Sequence, residues 1–203
     1  MRRINTPDQA LRVLRIALIL GLSLTGACAI ATEEPAFTVS LAQGDCEVRE
    51  YPALVVAEVS VTGDRKAAAS AGFRLLAGYI FGGNTARQKI AMTAPVLQSG
   101  GNGQWLIRFI MPRGSTLESL PSPNNPRVQL HNIAPARMAV TRFSGLARQD
   151  RIATKTAALA GFVSAQRLQA IGSPSLAQCD PPWTLWFLRR NEVMIPIAPA
   201  AAN

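Results

Sequence analysis

Residues 56–63 read VAEVSVTG, and residues 138–145 read MAVTRFSG. A shift of 82 residues places the alanines and the final glycines of the two stretches opposite each other, with Val56 opposite Met138 and Val61 opposite Phe143. The alternation of apolar and polar side chains predicts a half-buried β-strand in each stretch. Because a segment with helical spacing follows each glycine, we interpret the pair as an internal repeat in which a strand leads into a helix.

The surrounding residues extend this pattern on both sides. Strands are predicted over 48–62, with a bend at Pro52, and over 89–97, 104–111, 128–143 and 183–197. Helices are predicted over 64–79, with Asp64 as the N-cap, and over 150–170. This order predicts an α+β fold in which two βαββ repeats form a distorted, mainly antiparallel β-barrel with two helices packed on it.

The chain divides into four parts on composition. We expect a signal peptide or lipoprotein leader over 1–31, a tether over 32–43, one folded domain over 44–197 and a C-terminal tail over 198–203. Within the domain, the proline-rich stretch 113–126 is expected to lack regular structure.

The leader is typical of an export signal. Its arginines precede the apolar run 16–24, which is about half of the roughly 20 apolar residues that a membrane-spanning helix needs. We therefore expect the protein in the periplasm, or anchored as a lipoprotein, in a bacterial envelope.

Two cleavage sites fit the leader. Residues 24–28 (LTGAC) resemble a lipobox, which would make Cys28 a lipidated N-terminus. The lipid on Cys28 would then be the protein's contact with the membrane. Residues 29–31 (AIA) fit an ordinary signal-peptidase site, which would discard Cys28 with the leader. The sequence leaves both open.

Charge argues against nucleic acid as a partner. The formal net charge is +9, of which residues 1–27 contribute +3, leaving +6 on the rest of the chain. The remaining basic residues are scattered among apolar and polar ones and form no dense basic run. Hydrophobic residues make up 48% of the chain, and its mean hydropathy of +0.15 is typical of a globular domain with an apolar leader.

Several motifs, taken in order, resemble the SOUL haem-binding family over about residues 44–197. They are EVREYP at 47–52, KIAMTAPV at 89–96, FIMP at 109–112, TLESLP at 116–121, FSG at 143–145, DPPWT at 180–184 and FLRRNEV at 187–193. The resemblance implies a barrel of two βαββ repeats, in agreement with the repeat described above. It also implies non-covalent binding of haem or another tetrapyrrole in an apolar groove beside a helix.

A haem site needs an apolar slot and cations near the propionates. We expect the first helix to supply both. The apolar candidates are Phe73, Leu76, Ala77 and Ile80, and the cationic candidates are Arg65, Lys66 and Arg74. The alternative for the apolar set is ordinary helix-to-sheet packing, and for the cations a solvated helix face.

His131 is the single histidine and the candidate axial ligand to iron. The equivalent stretch of the family does not usually carry a histidine, so this residue is a departure from the family pattern. A hydrogen-bonded surface residue is the alternative. We therefore expect weak iron contact, with binding through apolar burial and ion pairs to the propionates.

Cys46 and Cys179 stand where the family commonly has tyrosine, ahead of EVREY and DPPW. Two such replacements in an exported protein suggest that the positions touch as a disulfide. Unpaired buried thiols are the alternative.

Three function classes remain. The first is a non-catalytic carrier, buffer or scavenger of a small hydrophobic ligand, with haem or another tetrapyrrole as that ligand. The second is an envelope effector-binding or protein-interaction module with a different ligand or partner. The third, a hydrolase in the same pocket, is disfavoured because the chain has one histidine and no GxSxG motif.

Overall fold

The computed structural model describes residues 32–181 and 183–200. The predicted leader, its two cleavage sites and the lipidation site Cys28 lie outside these residues. Within them, no helix has the length and apolar character needed to cross a bilayer.

The described residues form nine strands, two α-helices and a short 3-10 helix over Trp186–Leu188. The strands are β1 (Thr38–Gln43), β2 (Cys46–Tyr51), β3 (Leu54–Thr62), β4 (Val96–Gly101), β5 (Gln104–Ile110), β6 (Gln129–Ile133), β7 (Ala136–Ser144), β8 (Ser175–Gln178) and β9 (Arg190–Ile197). The helices are α1 (Arg65–Ile80), between β3 and β4, and α2 (Gln149–Ala165), between β7 and β8.

All nine strands belong to one curled antiparallel sheet, in the order β1-β2-β7-β9-β8-β4-β5-β3-β6. The order βαββ occurs twice, as β3-α1-β4-β5 and as β7-α2-β8-β9. If each strand of one unit is exchanged for its counterpart in the other, and β2 for β6, the order of these eight strands is the same when read from the opposite end. The α+β barrel-like architecture with two packed helices is therefore confirmed.

Helix α1 begins where the sequence predicts. The Asp64 carboxylate accepts hydrogen bonds from the backbone N–H groups of Lys66 at 3.0 Å and Ala67 at 2.9 Å, which satisfies two free donors of the first turn. Gly72 lets the helix approach β5 closely, because a Cβ there would lie 2.4 Å from Ile107 Cγ1. The helix is thereby held tightly against the sheet.

The sheet has two differently covered faces. One face of β3 and β5, with Val59 and Ile107, packs against α1, and the same face of β7 and β9, with Ala139 and Val193, packs against α2. Alternate residues of these strands point to the opposite face, which no helix covers in the described chain. That concave face holds the candidate site.

Several element bounds differ from the predictions. Part of the predicted tether forms β1, which pairs with β2. The predicted strand 128–143 is divided between β6 and β7 at Pro135, which cannot donate to a ladder. Of 89–97, only the last two residues lie in a strand, and of 183–197, the strand begins at Arg190.

The second helix is shorter than predicted. It ends at Ala165, with Gln166 as C-cap, because Arg167 adopts a left-handed backbone with φ of 54° that stops the helix. The stretch 113–126 contains no helix or named strand, as expected from its prolines.

Candidate ligand-binding groove

The concave face of the sheet encloses a groove of about 430 Å³, within the size range of ligand pockets. The groove side chains are the alternate residues of the strands whose other face packs on the helices. Most of them are apolar: Leu54, Leu97, Ile110, Ile133, Met138 and Met194. Phe37, Tyr51 and several prolines complete its wall.

An ion pair forms the polar part of the groove. The Arg49 guanidinium, 2% exposed, donates to both carboxylate oxygens of Glu192, at 2.9 and 3.1 Å. It also donates to Glu47 at 2.8 Å and to the Tyr51 hydroxyl at 3.1 Å. Arg142, which is nearly half exposed, donates to Glu192 from the solvent side at 3.2 Å. Each charge is therefore compensated, as burial demands.

This network affects the pKa values of Arg49 and Tyr51. Burial works to lower the pKa of Arg49, but the hydrogen bonds to Glu192 and Tyr51 outweigh it and raise that pKa above its usual value. Burial raises the pKa of Tyr51. Arg49 thus stays charged and Tyr51 stays protonated at neutral pH. Two residues of the polar stretch 189–192 (RRNE) form ion pairs: Glu192 with Arg49, and Arg190 with Glu34.

A buried thiol is part of the groove wall. Cys179 lines the groove, and burial raises the pKa of its thiol to about 11, so it is protonated at neutral pH. Arg190 starts β9 beside it and forms an ion pair with Glu34.

A second cation and the histidine lie toward the β6 edge. Arg108 lines the groove and donates to Glu58 at 2.5 Å. His131 pairs with Val56 across β3 and β6, so it shares a sheet face with Ile133 and the groove. Its side chain is 46% exposed, with Nε2 3.9 Å from the Glu58 carboxylate.

The apolar side chains predicted to form a slot on α1 lie on the other face of the sheet. Leu76 and Ile80 are 0% and 1% exposed and pack in the core between α1 and the sheet. Phe73 meets the ring of Phe109 edge-on at 5.3 Å, and Ala77 is half-buried. The structure uses Leu76 and Ile80 for helix-to-sheet packing, the alternative that the sequence left open.

The three predicted cations do not converge. Arg65 connects the two helix N-termini, donating to the Ala147 carbonyl at 2.7 Å and to Gln149 at 3.1 Å. Lys66 and Arg74 are exposed on the outer face of α1. The sheet therefore separates all of these side chains from His131.

The predicted disulfide is absent, and this expectation is corrected. Cys46 and Cys179 are both free thiols. Strands β7 and β9 lie between β2 and the strand leading to Cys179, which places the two positions about 14 Å apart across the sheet, beyond the ~7 Å reach of a disulfide. Cys46 also packs on the helix side, whereas Cys179 faces the groove.

One feature of the sequence indicates the groove face of the sheet. Residues 193–195 (VMI) are apolar on both faces of β9, which is typical of a strand covered on both sides. Met194 therefore marks a second apolar surface behind the helix-packed one. Among the described residues, no three His, Cys, Asp or Glu side chains are grouped as a metal site requires.

Comparison with known proteins agrees with this architecture. The family model described as SOUL heme-binding protein matches residues 32–196. The C-terminal domain of EcmrR aligns with a TM-score of 0.60 at 12% identity, over 76% of this chain and 98% of that one. A hydrolase from Listeria innocua aligns with a TM-score of 0.54 at 13% identity, over 78% of this chain and 94% of that one.

These structural likenesses show a shared fold alone, because the identities are low. No curated protein sequence matches the chain significantly.

Proposed function

The chain belongs to the SOUL heme-binding protein family, and from that premise we propose that it is an exported, non-catalytic carrier or buffer of haem that holds its ligand in the concave groove. Family membership assigns a small hydrophobic ligand, haem or a related tetrapyrrole, bound non-covalently. The site, the export and the carrier role are our proposal.

The observation that carries the proposal is the groove itself. It is an apolar concavity of about 430 Å³ on the sheet face that the helices leave uncovered. A porphyrin needs apolar contact on both faces, and Leu97, Ile110 and Met138 offer such contact from three different strands.

The polar groups of the groove also fit haem. Arg108, 29% exposed, lines the groove, and Arg190, 39% exposed, lies outside the lining but on the same sheet face as Glu192 and Met194. Both are cations with solvent access that suit the propionates. Cys179 faces the groove and His131 shares its sheet face, but Cys179 is protonated and His131 lies outside the groove lining. These residues favour binding through apolar burial and propionate contacts, with little iron ligation.

The side chains of the groove support a non-catalytic role. Glu192 is already engaged by two arginines, and the raised pKa of Cys179 is the opposite of what a nucleophilic cysteine requires. The likeness to a hydrolase from Listeria innocua extends to the fold alone.

Hemin titration, read at the Soret band, tests the site. We expect a saturable one-to-one shift for the unchanged protein, and affinity reduced about ten-fold or more by Leu97→Glu or Met138→Glu, because a carboxylate would be buried against the macrocycle. Ala77→Glu is the matched control. Ala77 is a half-buried residue of α1, on the other face of the sheet, so this change should leave the affinity for hemin unchanged.

Two results would contradict the proposal. The absence of a saturable shift would exclude haem, and mass spectrometry of any copurified small molecule would then identify an alternative ligand. Loss of binding in Ala77→Glu with retention in both groove variants would place the site on α1 instead. Circular dichroism of each variant establishes that the loss is not unfolding.

Export is proposed from the leader pattern. Subcellular fractionation should place the processed chain in the envelope, and finding it unprocessed in the cytoplasm would refute export. Labelling with a palmitate analogue distinguishes the two cleavage sites, since only a lipoprotein incorporates label, and Cys28→Ala should then abolish it.

We further propose that the two βαββ units descend from an internal duplication. The symmetric strand order and the alignment of Ala57 with Ala139 support it.

A further inference from the structure

The loop between β8 and β9 exposes an unusual amount of apolar surface. Five of the six residues 183–188 are large and apolar, and each is at least 51% exposed. They are Trp183, Leu185, Trp186, Phe187 and Leu188, which we call the apolar loop patch. Contiguous exposed apolar surface of this kind marks an interaction site.

The loop is held in place by hydrogen bonds. Arg189 Nε donates to the Thr184 carbonyl at 2.9 Å, and Leu188 N–H donates to the Leu185 carbonyl at 2.9 Å. The Gly145 N–H donates to the Arg189 carbonyl at 2.9 Å, which fastens the loop to the end of β7. The exposure of the patch is therefore built into the fold.

Cations lie beside the patch. The Gly145 contact brings in the segment between β7 and α2, which carries exposed Leu146 and Arg148; Arg148 is 69% exposed and forms an ion pair with Asp150 at 3.2 Å. Arg151, in the first turn of α2, places its guanidinium against Gly145. Large apolar side chains thus project from one end of the sheet, with two arginines on one side of them.

From this combination we infer that the apolar loop patch docks on the headgroup region of an anionic lipid bilayer. Tryptophan is enriched at membrane interfaces, where its ring is buried and its N–H stays hydrated. Leucine and phenylalanine enter the acyl boundary, while arginines attract anionic lipid. The apolar loop patch projects from the sheet, so its side chains can insert among lipid headgroups.

Tryptophan fluorescence of the full chain tests docking. The Trp105→Phe variant, with Cys28→Ser to prevent lipidation, retains only Trp183 and Trp186, so its emission reports the patch directly. With vesicles of phosphatidylcholine and phosphatidylglycerol we expect a blue shift and quenching by brominated lipid. Vesicles of phosphatidylcholine alone, or 0.5 M salt, should weaken both signals.

A matched pair of variants separates the patch from apolar exposure in general. In the same background, Leu185→Ser with Leu188→Ser should reduce the fluorescence response about ten-fold or more. The control pair, Phe81→Ser with Ile171→Ser, changes two apolar side chains outside the patch that are as exposed as the leucines, at 61% and 59%. It should leave the fluorescence response unchanged.

An unshifted, unquenched emission with anionic vesicles would overturn the inference, as would equal responses from the two variant pairs. So would a dimer in sedimentation analysis that the patch substitutions dissociate, because a second copy would then cover the loop. Hemin titration of the patch variant should match the unchanged protein, so the outcome is independent of the groove.

Discussion

At the scale of single residues, the Arg49 and Glu192 pair sets the polarity of an otherwise apolar groove. We predict that Arg49→Ala destabilises the protein by about 3–5 kcal/mol, because it leaves the Glu192 carboxylate buried without its main partner. Arg142→Ala removes a half-exposed partner of the same carboxylate and should cost less than about 1 kcal/mol. Urea unfolding measures both, and equal losses would refute the distinction.

Cys179 offers a second prediction at this scale. Because burial holds its pKa at about 11, we expect iodoacetamide to modify it very slowly in the native protein at pH 8. The rate should rise about ten-fold per pH unit up to that pKa, provided the fold persists. Peptide mapping distinguishes it from Cys28 and Cys46, and unfolding in urea should abolish the protection. Rapid native labelling at pH 8 would show that the groove does not shield the thiol.

At the scale of elements, two glycines of α1 have opposite roles. Gly72→Ala should destabilise the protein by about 1–3 kcal/mol, since its Cβ would meet Ile107 at 2.4 Å. Gly78→Ala, in the same helix but with nothing within 4 Å of its Cβ, should stabilise by about 0.5–1 kcal/mol through helix propensity. Thermal unfolding of the two variants should shift the midpoint in opposite directions. Shifts of the same sign would mean that α1 does not press on β5 as described.

Elements were predictable where local chemistry decides them. Asp64 caps α1 because a carboxylate in that position satisfies free N–H groups whatever the tertiary structure. Strand β1 was not predicted because its residues are mostly exposed and show no apolar alternation. It is held as a strand by pairing with β2. The early end of α2 depends on the left-handed backbone of Arg167. Arginine seldom adopts this conformation, so the sequence does not predict it.

At the scale of the whole molecule, the strand order predicts a gradient of protection. Strand β9 is hydrogen-bonded on both sides, to β7 and β8, whereas β1 and β6 are the sheet edges. Hydrogen exchange followed by mass spectrometry should therefore show the slowest amides in β9 and the fastest strand amides in β1. Uniform exchange across these strands would mean that the sheet opens only as a single unit.

The location of the groove is also a whole-molecule property. The apolar residues of α1 are compatible with a slot or with packing, and only the close approach that Gly72 permits decides for packing. Leu97, Met138 and Met194 come from separate strands and converge only through the long-range pairing of β7, β9, β8 and β4. The sequence indicates that β9 is apolar on both faces, but it does not show which other strands line the groove with it.

The sheet runs from β1 to β6 without joining edge to edge, so its strands do not close a ring around the groove. A guest held there could leave without any pair of strands separating, at a rate set by the contacts that it breaks. Under the proposed carrier function, such release would let a recipient of higher affinity take the ligand.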